Sequence, residues 1–172
     1  REKRIASEAR SYKVRGMRIS IIAASNRQPA WVTAGFEDYA KRLRGRCTLA
    51  LVEVPLAKRS GANVAARVLE IEGERMLAAI PKGAHVVAVD VTGAPWSTQQ
   101  LGGSLRAWLE LGVPVALLIG GPDGLAPACF ARAAERWALS RLTLPHGLAR
   151  VVVAEALYRA WAVLEGHPYH RA

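Results

Sequence analysis

From Met17 onward, short aliphatic runs alternate with stretches whose apolar residues recur every three to four positions. That alternation predicts an α/β domain with a mainly parallel sheet flanked by helices. Residues 19–24 predict a strand, and the spacing of Trp31, Phe36, Tyr39 and Leu43 behind Pro29 predicts a helix. Residues 48–54 predict a second strand, ended by Pro55, in which the alternation of Leu49, Leu51 and Glu53 is looser than a half-exposed strand would show. A basic loop of Lys58, Arg59, Ser60 and Gly61 leads to a long helix over residues 63–80, with Asn63 as its cap. Residues 84–91 are nearly continuous aliphatics, closed by Thr92, Gly93 and Pro95, as befits a strand covered on both faces. Ser97 caps a helix to residue 111 that Gly102 and Gly103 weaken. Residues 113–119 carry the strongest strand pattern and run straight into Gly120, Gly121, Pro122, Asp123 and Gly124. A short helix (127–135), a brief strand (137–139), a loop (140–147) and a last helix (148–165) complete the pattern.

In that last helix Val151, Val152, Val153, Leu157, Trp161 and Leu164, with the alanines between them, wrap most of the circumference. Only a stripe near Glu155 and Arg159, a favourable pair four apart, is polar. Such a helix needs cover on two sides. The core supplies one, and either a partner subunit or deep burial in a monomer supplies the other.

The composition adds bounds. A chain of 172 residues, 51% hydrophobic and 22% charged, fits one folded domain. The net charge of +10 points to a polyanionic partner such as nucleic acid. Residues 1–16 hold six Lys/Arg against two Glu and so carry +4 of that total. They are expected to be a basic leader, disordered or non-native, ahead of a single domain over residues 17–172. No apolar run approaches the ~20 residues of a membrane span and the start lacks a secretory pattern, so the expectation is a cytoplasmic protein. Cys47 and Cys129 stand apart, outside any CxxC or Cys/His cluster, which predicts two buried reduced thiols and no metal site.

Candidate chemistry gathers in the last third. The Gly-Gly-Pro-Asp-Gly run follows a strand, where ligands of open α/β sheets sit, yet a bare turn needs the same residues. It lacks GxGxxG spacing and a P-loop, which disfavours a nicotinamide-dependent oxidoreductase. The loop over residues 140–147 offers backbone amides and apolar groups that suit an adenine. His146, Arg150 and the tail His167, Pro168, Tyr169, His170, Arg171 supply a titratable base, an aromatic and cations of the kind RNA binding uses. A solvated chain end is the plainer reading of the tail, and a structural role the plainer reading of His85.

LLIGGPDGL (117–125), LTLPHGLARVVVAEALYRAW (142–161) and GHPYHR (166–171) resemble the RlmH family, the pseudouridine N3 methyltransferases of 23S ribosomal RNA within the SPOUT class. FEDYAKRL (36–43), VPLAKRSG (54–61), EGERML (72–77) and VAVDVTGAPWST (87–98) extend the resemblance over residues 17–171. Gly147 departs from it, standing where larger residues are common. The resemblance implies a SPOUT-type α/β fold with a C-terminal trefoil knot, a homodimer, and S-adenosyl-L-methionine as cofactor. It implies a pocket of Val89, Asp90, Gly120, Gly121, Ser140, Arg141, Leu142, Thr143, Leu144 and Pro145. It implies methylation of N3 of a pseudouridine in 23S ribosomal RNA on the assembled ribosome, without a metal. His170 or His146 would be the base, Tyr169 and Arg171 would orient the nucleotide, and Lys58, Arg59 and Arg150 would meet RNA, with Lys41 and Arg42 as further basic candidates. The tail of one subunit would complete the site of the other. A ribosome-binding factor of the same fold that has lost turnover is the alternative.

Overall fold

The computed structural model describes residues 16–43, 45, 47–59 and 64–171. They form β1 (Met17–Ala24), α1 (Ala30–Arg42), β2 (Cys47–Val54), α2 (Val64–Ala79), β3 (His85–Ala94), α3 (Thr98–Leu111), β4 (Val115–Ile119), α4 (Pro127–Arg132), β5 (Glu135–Trp137), α5 (His146–Leu164) and a closing 3-10 turn (Pro168–Arg171). The expectations for residues 1–15, and for Asn63 as a cap, lie outside the described residues.

The five strands pair in parallel in the order β2-β1-β4-β3-β5. Parallel neighbours need crossover connections, which bring helices to both faces. Successive strand residues face opposite ways, so each aliphatic run divides between two cores. Val115, Leu117 and Ile119 of β4 join Val87 and Val89 of β3 on one face, while Ala116 and Leu118 join Val86 and Ala88 on the other. The first core takes α1, α3 and α5 through Phe36, Leu105, Trp108, Val153, Leu157 and Trp161. The second takes α2 and α4 through Met76 and Cys129. Both thiols are buried and free, as the sequence predicts.

The elements stand where the pattern puts them, with small shifts at their ends, β4 beginning at Val115 and β1 at Met17, and further differences from β3 onward. β3 continues past Val91 to Ala94, because Val89 and Ala94 both pair with Trp137 and residues 90–93 bow out between them. β5 lies two residues early, over Glu135–Trp137, and α4 stops at Arg132. α5 begins at His146, behind Pro145. Ser97 caps α3 as expected, in a full capping box with Gln100.

No residue of α5 is exposed, because α1 and α3 flank it and the sheet lies beneath. Its apolar circumference is therefore covered largely within one chain, and that circumference alone does not call for a partner. At the amino ends of the strands, His85 Nε2 and Trp108 Nε1 meet Glu135 Oε1 at 2.5 and 2.9 Å. His85 thus ties β5 to β3, the structural role expected of it. Among the described residues, no helix is long and apolar enough to cross a membrane.

Candidate functional site

A cavity of about 250 Å³ opens outside the carboxyl ends of β3 and β4, where open α/β sheets hold ligands. Three segments wall it. The bow in β3 is held by Asp90, whose Oδ1 accepts from the Thr92 amide at 2.9 Å and the Thr92 hydroxyl at 2.5 Å. The turn after β4 is closed by the Gly124 amide donating to the Gly121 carbonyl at 3.0 Å. The link from β5 to α5 is bent where Ser140 Oγ accepts from the Leu142 amide at 2.9 Å.

Most of the predicted pocket converges on this space. Val89, Asp90, Gly120, Gly121, Ser140, Leu142, Thr143 and Leu144 line it together with His146. Arg141 and Pro145 belong to the same link but are not among its lining residues. Ile119, Leu125, Leu139 and Ala149 line it as well. The sequence reading missed these because an aliphatic residue next to a glycine turn reads as core.

His146 is half-buried at the start of α5 and its Nε2 lies 3.4 Å from the Gln28 amide nitrogen. Burial, with Arg150 one turn away, lowers its pKa below the usual histidine value. Gln28 carries no motif, and nothing in the sequence pointed to it.

Arg150 corrects a prediction. It is 1% exposed, and its Nη1 donates to Glu53 Oε1 at 2.6 Å. Ser25, also buried, donates to the same oxygen at 3.1 Å. A guanidinium sealed this way does not present itself to an RNA phosphate; it ties α5 to the ends of β1 and β2. The loose alternation of β2 at Glu53 was the signal for that partner. A second buried charge, Glu72, accepts from the Ala57 amide at 3.0 Å and lies 3.7 Å from Arg59. Arg59 in turn donates to Asp123 at 2.6 Å and so joins the basic loop to the glycine turn. Lys58 is exposed. Lys41 and Arg42 pair along α1 with Glu37 and Asp38 at 3.3 and 2.6 Å.

The tail folds back on the far half of α5. The Tyr169 ring packs on Tyr158 at 4.7 Å, beneath the Arg159 guanidinium at 5.2 Å, and its hydroxyl donates to Glu155 at 3.3 Å. The side chains of His170 and Arg171 lie outside the described residues.

Comparison with known proteins places this geometry in context. Residues 17–170 match the family model described as "Predicted SPOUT methyltransferase". The chain is 51% identical over 155 residues to the ribosomal RNA large subunit methyltransferase H of Methylococcus capsulatus, covering 90% of this chain and all of that protein. A probable methyltransferase from Bordetella pertussis superposes with a TM-score of 0.53 at 19% identity, over 86% of this chain and 98% of that one. A probable methylase family protein from Haemophilus influenzae gives 0.50 at 12% identity, over 90% and 70%. These two likenesses concern the fold.

Proposed function

The chain belongs to the SPOUT methyltransferase family, and from that premise we propose that it methylates 23S ribosomal RNA at N3 of a pseudouridine on the assembled ribosome, working in the cytoplasm as a homodimer. The observation that carries the reading is the convergence of the β3 bow, the glycine turn and the link from β5 to α5 on one cavity, in a chain half identical to a ribosomal RNA methyltransferase.

The lining fits S-adenosylmethionine. Leu139, Leu142 and Leu144 offer apolar surface to an adenine, and the half-buried glycines Gly120 and Gly121 let backbone approach closely. Among the described lining residues Asp90 is the lone acid and there is no Lys or Arg, which suits a ligand bearing a positive sulfonium. When bound, the cofactor supplies an activated methyl group. The protein's part is to orient the uracil ring, exclude water and take the N3 proton.

The course of the chain supports a knotted reading. β5 lies at the sheet edge, yet α5 packs over β1 and β4 inside it, so residues 138–145 must cross back past the cavity walls. The tail docks well away from its own cavity, which supports its serving the partner's site. Exposed Lys58 then meets RNA, with Arg59 held beside it by Asp123.

Ribosomes lacking the modification, incubated with the protein and methyl-labelled cofactor, should gain one methyl per particle, and mass spectrometry should place it on a pseudouridine of the large subunit. Ribosome binding without transfer would support the non-catalytic alternative and sink this reading.

A further inference from the structure

We propose that His146 acts as a hydrogen-bond donor through Nδ1–H to a ring carbonyl oxygen of the bound nucleotide, in a tautomer set by Gln28, which reaches the imidazole only because residue 147 is glycine. The donor role rests on the function proposed above; the tautomer does not.

Gln28 Nε2 donates to the Asn26 carbonyl at 2.9 Å, which fixes the amide's orientation, since only its NH2 end can donate. The same nitrogen meets His146 Nε2 at 3.4 Å. A donor on that side requires Nε2 to be the acceptor, so the ring proton sits on Nδ1. At 3.4 Å the contact is a long hydrogen bond. Protonating Nε2 would set donor against donor.

The surroundings oppose the charged ring as well. Burial and Arg150 disfavour it. Glu53, paired with the Arg150 guanidinium and bonded by Ser25, offsets part of its field, and the direction stays downward because burial is the larger cause. From β3, Asp90 lines the same cavity but already accepts twice from Thr92. His146 is therefore poor as the proton acceptor, and that task falls to another group.

Its Nδ1–H has a different use. As N3 loses its proton to a base and forms the bond to carbon while the carbon–sulfur bond breaks, negative charge spreads to the ring carbonyl oxygens beside N3. A positioned neutral donor stabilises that charge.

The glycine completes the case. A Cβ at residue 147 would lie 2.4 Å from Gln28 Oε1, so any side chain would displace the amide. Gly147 and Gln28 form one coupled device.

The test is nitrogen-15 NMR of the full chain with labelled histidine, across pH, without cofactor or ribosomes. The expected result is an Nδ1–H tautomer for His146, with its midpoint below the ordinary histidine value of ~6.5. Gln28→Leu and Gly147→Ala should each shift it toward Nε2–H and raise its midpoint. On ribosomes, His146→Ala should lower kcat about a hundredfold, and Gln28→Leu about tenfold, with the acid limb of the kcat profile unmoved. An Nε2–H ring in the wild type, or an acid limb that follows the His146 midpoint in Gln28→Leu, would overturn the inference. Wild-type protein with the expected tautomer but no transfer to ribosomes would overturn the function and with it the donor role, leaving the Gln28 device in place.

Discussion

Two glycines show how far one methyl group depends on where it lands. Gly93 sits in the bow of β3 with the backbone of Trp137 so near that a Cβ would lie 2.6 Å from it, and backbone cannot swing aside. Gly93→Ala should cost about 1–3 kcal/mol, as overpacking does, and weaken cofactor binding because the bow is a cavity wall. Gly103, in the middle of α3, has open space where its Cβ would go. Gly103→Ala should stabilise by about 0.5–1 kcal/mol. Urea midpoints moving in opposite directions check the pair; a shift of the same sign would contradict this account. The cysteines give another residue-scale expectation. Burial pushes the Cys47 thiol up to about 12 and raises Cys129 as well. Since the thiolate is the reactive form, an aromatic disulfide reagent at pH 8 should label neither in the native protein and both in denaturant. At this scale the sequence exposed the glycine turn, the cysteines and His146. It hid Gln28 and Ser25, whose importance lies in partners 118 and 28 residues away, and only hinted at Glu53, 97 residues from Arg150. Arg150 misled for a related reason: a cation on a helix reads as surface until its carboxylate is found.

Among the elements, legibility followed burial. β4 and α5 were plain because strands covered on both faces and buried helices leave long apolar signals. The far end of β3 was not, since Thr92 and Gly93 have turn chemistry and the pairing of Ala94 with Trp137 exists only after a detour. β5 is three residues long, with Arg136 exposed, so its short polar pattern betrayed a strand but placed it two residues late. The tail turn was invisible as structure, because what orders it is contact with α5. That contact has a pH signature. Desolvation, then a hydrogen bond with Tyr39, pushes the Tyr169 phenol from 10.0 up to about 12. A group whose folded value is raised stabilises the docked form fully below its unfolded value and loses that contribution as pH rises through the folded one. Docking should thus persist to about pH 10 and be lost between 10 and 12. The phenolate absorbance difference between wild type and Tyr169→Phe should show a midpoint near 12; a midpoint near 10 would mean the tail is not docked.

For the whole molecule, the decisive geometry is the separation of tail and cavity along one helix. His146 opens α5 at the cavity, while Tyr158, on which Tyr169 packs, lies twelve residues on. At 1.5 Å per residue that is about 18 Å, more than a side chain spans. A tail that takes part in the chemistry must therefore leave its dock or act on a second copy, and a symmetric dimer allows the second without unfolding anything. Co-expressed differently tagged subunits separate the two. One carries alanine at Tyr169, His170 and Arg171; the other carries Thr143→Trp, which fills the cavity from an exposed position. Neither homodimer should methylate. If the tail acts across the interface, the purified mixed dimer has one intact cavity facing one intact tail, and should show about half of wild-type turnover per dimer, given two equivalent sites related by symmetry. If each tail serves its own cavity, every site in the mixed dimer lacks one component and turnover stays at the homodimer background. Calorimetry on the tail variant alone should show cofactor binding intact, which ties the loss to the missing tail and not to a collapsed cavity.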